Sequence, residues 1–383
     1  MNQSPVTRHQ SPITIGITGQ AGFMGTHLYN FLGLQEGVER IPFEDHYFEN
    51  QETLQNWVKQ CDVIVHLAAM NRHGDPQVIY DTNITLVNQL IDALETTGSK
   101  PHVLFSSSTQ EERDNLYGKS KKEGRELFIQ WAVRNSASFT GMIIPNVFGP
   151  FGNPYYNSVV ATFCHQLTHE EEPKIQVDGE LKLIYIGELV KEFYSLITNH
   201  QSQITSYQVK HTSIHKVSEI LALLESYKTN YFEKGIFPNL TDNFERNLFN
   251  TFVCYLDIKN HYPVKLKLNT DDRGSFVETV KLESGGQISF STTKPGITRG
   301  NHFHIRKAER FAVIKGKARI QLRRIGTNEV LNFDLDGSQP AYVDMPIWYT
   351  HNITNVGNED VYTIFWISEF FNPDDPDTYF EKV

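Results

Sequence analysis

The chain has 383 residues, 39% hydrophobic and 21% charged, enough to bury cores and, at this length, expected to form two to three domains. Its 45 acidic against 35 basic side chains give a formal net charge of −10, which argues against a nucleic-acid binder, since that needs a basic face to displace phosphate counterions. No apolar run approaches the roughly 20 residues of a membrane span, and three scattered cysteines (Cys61, Cys164, Cys254) form neither a disulfide scaffold nor a cysteine zinc site.

The stretch Met1–Pro12 is polar and lacks a signal-peptide pattern, so a cytoplasmic protein is expected. From Ile13 to about Tyr185, short β-branched runs (Ile13 to Thr18, Asp62 to Ala68, His102 to Ser107, Gly141 to Pro145) alternate with helical patterns (Gly25 to Leu34, Asn83 to Glu95, Ser120 to Val133). That alternation implies a parallel sheet with crossover helices, an α/β Rossmann-type domain. A more helical stretch follows to about Asn250. Beyond Tyr262, short alternating segments separated by Gly, Pro and Asn turns read as an all-β sandwich or barrel. The division expected is therefore 1–256 for a nucleotide-binding domain, 257–263 for a linker and 264–383 for a β domain.

Between the first strand and first helix lies Thr18-Gly19-Gln20-Ala21-Gly22-Phe23-Met24-Gly25, a G-x-x-G-x-x-G turn. Glycines there permit close backbone approach to a pyrophosphate, and the helix N-terminus supplies N–H groups and a favourable dipole. Tight turns also use glycine for steric reasons alone, but this turn directly follows a predicted strand. Tyr117-Gly118-Lys119-Ser120-Lys121 has Tyr-x-x-x-Lys spacing at a helix start, which puts both side chains on one face. A lysine so placed stabilises a tyrosinate, and Ser106, Ser107 and Ser108 upstream offer hydroxyls to orient a carbonyl. A surface tyrosine with a solvated lysine is the bland alternative. The order of glycine turn, serine strand and Tyr-Lys pair favours ketone reduction by hydride transfer.

At these residues the chain resembles the extended short-chain dehydrogenase/reductase family, in its sugar-nucleotide branch. His66-Leu67-Ala68-Ala69, Asn83 and Pro145-Asn146-Val147-Phe148-Gly149-Pro150 add to the likeness. The resemblance implies that Gly19, Gly22, Phe23, Met24, Gly25, Leu67, Ala68 and Ala69 line the cofactor, with Tyr117 and Lys121 also touching it. It implies Ser108, Tyr117 and Lys121 as the catalytic set. Ser108 precedes Tyr117 by nine residues, a much shorter spacing than is usual in that family. Cofactor choice stays open: Glu44 and Asp45 stand about 20 residues beyond the last glycine, where an acid would grip the ribose of NADH, while Arg40 would meet the 2′-phosphate of NADPH. All three also fit ordinary surface charge.

In the second half, Gly296, His302, His304, Glu309 and Gly316 fit G-x5-H-x-H-x4-E-x6-G, and Pro346 to His351 supplies one more histidine. Residues two apart on a strand share a face, so His302, His304, Glu309 and His351 form a candidate three-histidine, one-carboxylate shell suited to zinc, and also to manganese, iron or nickel. This half resembles the cupin superfamily, an all-β jelly-roll barrel, with Trp348 in place of a usual glycine. Asp271 to Glu278 and Lys294 to His302 resemble cupins that epimerise 4-keto-6-deoxy sugar nucleotides. There an arginine neutralises the diphosphate and the histidine aligned with His302 abstracts a proton. A ligating imidazole nitrogen cannot also accept that proton, so the base stays unassigned. Surface ion pairs are the alternative for Arg273 and Arg299.

The fusion resembles, over essentially the whole chain, the CapF-type bifunctional enzymes of capsular polysaccharide biosynthesis. Tyr156-Asn157-Ser158, Thr350-His351-Asn352-Ile353 and Pro376-Asp377-Thr378-Tyr379-Phe380 add to it. The resemblance implies C3 epimerisation of a UDP-2-acetamido-2,6-dideoxy-4-ketohexose in the cupin, then NADPH-dependent reduction at C4, giving UDP-6-deoxy-N-acetyl-L-talosamine. It also implies Zn2+ in the cupin, a homodimer, and substrate contacts from Asn146, Asn157, Arg273 and Arg299. The competing expectation is a working reductase whose cupin is a non-catalytic binding or dimerisation module.

Overall fold

The computed structural model describes residues 11–199, 204–272 and 274–383. It contains two compact units: one runs to Phe148 and resumes over Leu181–Ile214, and the other comprises Gly149–Glu180 and His215–Val383. Among the described residues no helix is long and apolar enough to cross a membrane.

In the first unit, strands β1 (Ile13–Thr18), β2 (Val38–Ile41), β3 (Val63–His66), β4 (His102–Ser108) and β5 (Phe139–Ile144) alternate with helices α1 (Phe23–Leu32), α2 (Gln51–Val58), α3 (Pro76–Thr97) and α4 (Leu116–Asn135). All pair in parallel in the order β2-β1-β3-β4-β5, with Ile204–Gln208 added beyond β5. The Rossmann-like expectation thus holds. The four residues of β3 are all buried, as a central parallel strand covered on both faces requires. β2 and α2, only four and eight residues long, are too short for periodicity to reveal. The order reverses between β1 and β3, which opens the ligand crevice at their carboxyl ends.

Local chemistry fixes the helices that flank this crevice. Asp75 caps α3 by accepting from the Gln77 amide, Pro76 opens it, and left-handed Gly98 closes it. Asn115 caps α4 by accepting from the Gly118 amide at 2.7 Å. Phe105 of β4, Phe128 and Trp131 of α4 and Phe139 of β5 are all buried in one cluster, which locks α4 onto the sheet.

The second unit holds two antiparallel five-stranded sheets. One runs in the order Val264–Lys265, Ala341–Met345, Glu309–Lys315, Val361–Ile367, Gln287–Thr293; the other runs Val330–Asp336, Lys317–Arg324, Tyr349–Asn355, Thr298–Phe303, Tyr379–Phe380. The β-rich second half is therefore as expected.

The compact units do not divide at 257–263. Residues 215–256 group with the β strands because their aromatic side chains are buried there. The Tyr231 hydroxyl donates to Asp344 at 2.7 Å, the Phe237 ring centre lies 4.3 Å from that of Trp366, and the Asn250 amide donates to the Arg306 carbonyl at 3.0 Å. Arg310, 1% exposed, makes a two-pronged ion pair with Asp344 at 2.6 and 2.8 Å and donates to the Gly235 carbonyl at 2.8 Å. Alternation along the chain shows where strands are, but not that a helical segment covers their outer face.

Candidate functional site

The glycine turn joins β1 to α1. Gly19 adopts a left-handed φ of +68°, and a β-carbon on it would lie 2.8 Å from the Ala68 backbone. A β-carbon on Gly25 would sit 2.2 Å from the Gly19 carbonyl oxygen. Both glycines are thus required sterically. They press the turn against the segment after β3, where Leu67 is buried and Ala68 and Ala69 are half-buried. Gly22 caps α1 with no side-chain hydrogen bond, so the amides at Phe23 and Met24 face an N-terminus suited to an anion.

Arg40 is elsewhere. Its guanidinium donates to the Tyr29 carbonyl at 2.9 Å, stacks 4.2 Å from the Tyr29 ring and packs on Gly33. That places it against the C-terminal half of α1, where it braces the helix. Glu44 and Asp45 follow β2 and are exposed, with Glu44 3.2 Å from His46.

His66 ends β3 fully buried, its Nδ1 sharing a 2.7 Å hydrogen bond with the Thr18 hydroxyl and its ring stacked on Phe105. Burial, and then the Lys121 charge, lower its pKa to about 3, so it is a neutral core histidine. Asn83 of α3 accepts from the Met70 amide at 2.7 Å and donates to the Met70 carbonyl and the Ser120 hydroxyl at 3.1 and 3.0 Å. It ties the segment after β3 to the helix bearing the Tyr-Lys pair.

Lys121, only 4% exposed, donates to the Ser106 carbonyl at 3.0 Å, and its ammonium lies 5.9 Å from the centre of the Tyr117 ring. Burial lowers its pKa to about 8, against the opposing charge of Glu111. Ser107 donates to Glu111, which holds Arg125 at 2.9 and 2.7 Å. Ser108 accepts from the Gln110 amide at 3.2 Å, and its own O–H proton is available to donate. The nine-residue spacing from Ser108 to Tyr117 is taken up by a tight 3₁₀ turn, Thr109–Glu112, folded onto α4. A β-carbon on Gly118 would stand 2.0 Å from the Gln110 carbonyl oxygen, so the short loop depends on a glycine beside Tyr117.

Of the expected substrate contacts, Asn146 is exposed and donates to the Lys182 carbonyl at 3.3 Å; Asn157 is exposed on the segment before helix Val159–Thr168. Arg299 is exposed and donates to the Thr292 carbonyl at 3.2 Å. Arg273 lies outside the described residues.

His302, His304, Glu309 and His351 converge, each offering one ligand atom within 4.8 Å of the others. Asn301, at φ +60°, is the extra residue of a β-bulge that brings His302 opposite His351. Glu309 Oε2 lies 3.1 Å from His304 Nε2 and 3.3 Å from His351 Nε2, yet these three buried atoms make no well-formed hydrogen bond. The Nδ1 atoms face carbonyls instead, that of Asp377 for His304 and that of Tyr349, at 3.3 Å, for His351. Donation from Nδ1 leaves the Nε2 lone pairs aimed at the carboxylate. Burial alone would raise the Glu309 carboxyl; the adjacent His304 and His351 outweigh it and hold the group well below the usual carboxylate range. Burial, then the neighbouring His351 and His304, lower His302 to about 4. Against the effect of burial, Glu309 in turn raises His304. Three imidazoles and a carboxylate that converge with His304 Nε2, His351 Nε2 and Glu309 Oε2 buried and unpartnered are a donor set that fits a divalent cation of zinc type. Trp348 adopts φ +62°, the left-handed conformation for which glycine is the usual choice.

Residues 15–209 match the NAD dependent epimerase/dehydratase family, and residues 269–379 match the polysaccharide biosynthesis C-terminal domain. The UDP-2-acetamido-2,6-beta-L-arabino-hexul-4-ose reductase of Pseudomonas aeruginosa is 33% identical over 364 residues, 95% of this chain and 97% of that one. The capsular polysaccharide assembling protein CapF of Staphylococcus aureus is 35% identical, its crystal structure matching 96% of this chain and 100% of that chain with a TM-score of 0.62. The chain belongs to the CapF family. RMD of Pseudomonas aeruginosa, solved with NADPH, covers 57% of this chain at 19% identity and a TM-score of 0.51, and shares the fold of the CapF reductase half. Sequence reasoning about the CapF features missed Asp377 as anything beyond a family marker. Nothing local signals that it would meet residues about seventy positions earlier.

Proposed function

We propose that the chain is a bifunctional sugar-nucleotide enzyme: a cupin half epimerises C3 of a UDP-2-acetamido-2,6-dideoxy-4-ketohexose, and the reductase half then reduces C4 with NADPH. The observation that carries the reading is the buried Lys121 ammonium beside Tyr117, behind a glycine turn built for a dinucleotide, in a chain similar end to end to a 4-ketohexose reductase. The order follows from carbonyl chemistry. A C4 ketone acidifies the C3 proton by delocalising the carbanion as an enolate, and once C4 is an alcohol that route closes.

In the reductase half, Ser108 donates to the carbonyl oxygen and Tyr117 delivers its proton to the alkoxide formed as hydride reaches C4. Lys121 lowers the cost of the resulting tyrosinate and would bond the nicotinamide ribose. Asn146 and Asn157 would contact substrate in the reductase half, and Arg273 and Arg299 would neutralise its diphosphate in the cupin half. In the cupin half, His302, His304, Glu309 and His351 would hold Zn2+. When bound, zinc supplies Lewis-acid polarisation of a carbonyl and fixes the strands that ligate it. The active form is a cytoplasmic homodimer.

That the cluster uses all three of its histidines, leaving none as base, favours a second reading in which the β half only binds or dimerises. Two measurements separate them. Tyr117→Phe should abolish NADPH oxidation with the 4-keto UDP-sugar while C3 hydrogen still exchanges with solvent deuterium, read by NMR. Loss of exchange along with oxidation would leave a single-site reductase, and wild-type protein that oxidises neither NADPH nor NADH would overturn the reductase reading itself.

A further inference from the structure

We propose that the segment Pro376–Glu381 is a latch that holds the histidine–glutamate cluster in its ligating form, with Asp377 as the positioning residue. This rests on the metal-site reading above.

Asp377 is 2% exposed, although Asp374 and Asp375 just before it are exposed. A buried carboxylate is costly unless its lone pairs are met. Here they are met by three consecutive backbone amides, Ile305 and Arg306 at 3.1 Å and Lys307 at 2.9 Å. Those amides belong to the connection between His304 and Glu309, so one carboxylate fixes the path between two candidate ligands. The same residue's carbonyl accepts from His304 Nδ1, which sets the tautomer that leaves Nε2 free to ligate. Both contacts are made at once because Asp377 adopts φ +41°, in the left-handed region that Asp and Asn tolerate better than other non-glycine residues.

The following residues reach the other two histidines. Tyr379–Phe380 pairs with Phe303 and His302, and the Glu381 amide donates to the carbonyl of the bulge residue Asn301 at 3.0 Å. The Thr350 hydroxyl, one residue before His351, donates to the Glu381 carbonyl. Each of the three histidines therefore has the latch bonded to its ring, its backbone or an adjacent residue.

The test measures zinc affinity of the full-length protein by competition with a chromophoric chelator, and the visible spectrum of the cobalt-loaded form. Removing a partner that orients a ligand typically costs about 10–100-fold in metal affinity, and Asp377→Ala should weaken zinc by that factor and alter the cobalt bands. Asp377→Asn keeps one acceptor oxygen and the tolerance for left-handed φ, so it should fall between wild type and Asp377→Ala. If Asp377→Ala is not recovered folded, Asp377→Asn decides, and wild-type affinity and spectrum in it would overturn the latch. Asp377→Ala with affinity within twofold of wild type, while His304→Ala loses zinc, would overturn the latch and leave the metal site standing. Wild-type protein that binds zinc no better than His304→Ala would sink the metal reading and the latch with it.

Discussion

Gly118→Ala sets two effects of opposite sign against each other beside the proposed proton donor. Gly118 lies in the first turn of α4 with an ordinary φ, so on helix propensity alone alanine would stabilise by up to about 1 kcal/mol. The new β-carbon, however, would stand 2.0 Å from the Gln110 carbonyl oxygen and 2.8 Å from its carbon. Ordinary contact begins near 3.4 Å, so one backbone must move by more than about 1 Å. Neither side is a flexible tip: Gln110 is held in the 3₁₀ turn by the Ser108 cap, and α4 is anchored by Phe128 and Trp131. Overpacking of this kind costs about 1–3 kcal/mol, which outweighs the propensity gain. A displacement near 1 Å at Tyr117 is enough to lower kcat about 100-fold. We expect a lower Tm and a kcat for NADPH oxidation reduced about 10–100-fold. A variant with raised Tm and wild-type kcat would refute the argument that the short loop dictates where Tyr117 sits.

Lys121 titrates near 8 when folded against 10.5 when free, so between those values the unfolded chain binds more protons and stability from this group rises with pH. Relative to Lys121→Met, the wild type should gain up to about 3 kcal/mol from pH 7.5 to 10.5 in urea unfolding; parallel pH profiles would contradict the burial of its charge. Arg310→Met leaves the buried Asp344 carboxylate with the Tyr231 hydroxyl but no cation, and should destabilise by about 3–5 kcal/mol. Adding Asp344→Asn should recover part of that loss, whereas a single-variant cost below about 1 kcal/mol would show the pair is not desolvated.

What was legible in the sequence was local. The glycine turn, Tyr117 with Lys121, and the spacing of His302, His304 and Glu309 each reflect chemistry set within a strand, a turn or a helix face. His351 was within reach because its motif has its own spacing. The reach of Arg40 to Tyr29 and Gly33 was not legible, because it depends on how α1 packs on β2. Residues 215–256 looked like an appendage of the nucleotide-binding half because helices suit either neighbour. Only the partners of Tyr231, Phe237 and Asn250 reveal which strands they cover. The need for Gly118 likewise appears only once Gln110 is folded back against it.

The first unit is completed only by Leu181–Ile214, and the second begins at Gly149. The polypeptide therefore passes from one to the other three times, and no single cut separates them. Expressing 262–383 alone would strip the β strands of Tyr231, Phe237 and Asn250, and truncating the chain after residue 256 would strand helices without the surface they cover. During synthesis the ribosome must deliver the opening of the second unit before the last strand of the first. Evolution by shuffling whole modules is correspondingly hard for such a woven chain, and engineering that aims to swap one activity must exchange at least two separate stretches together.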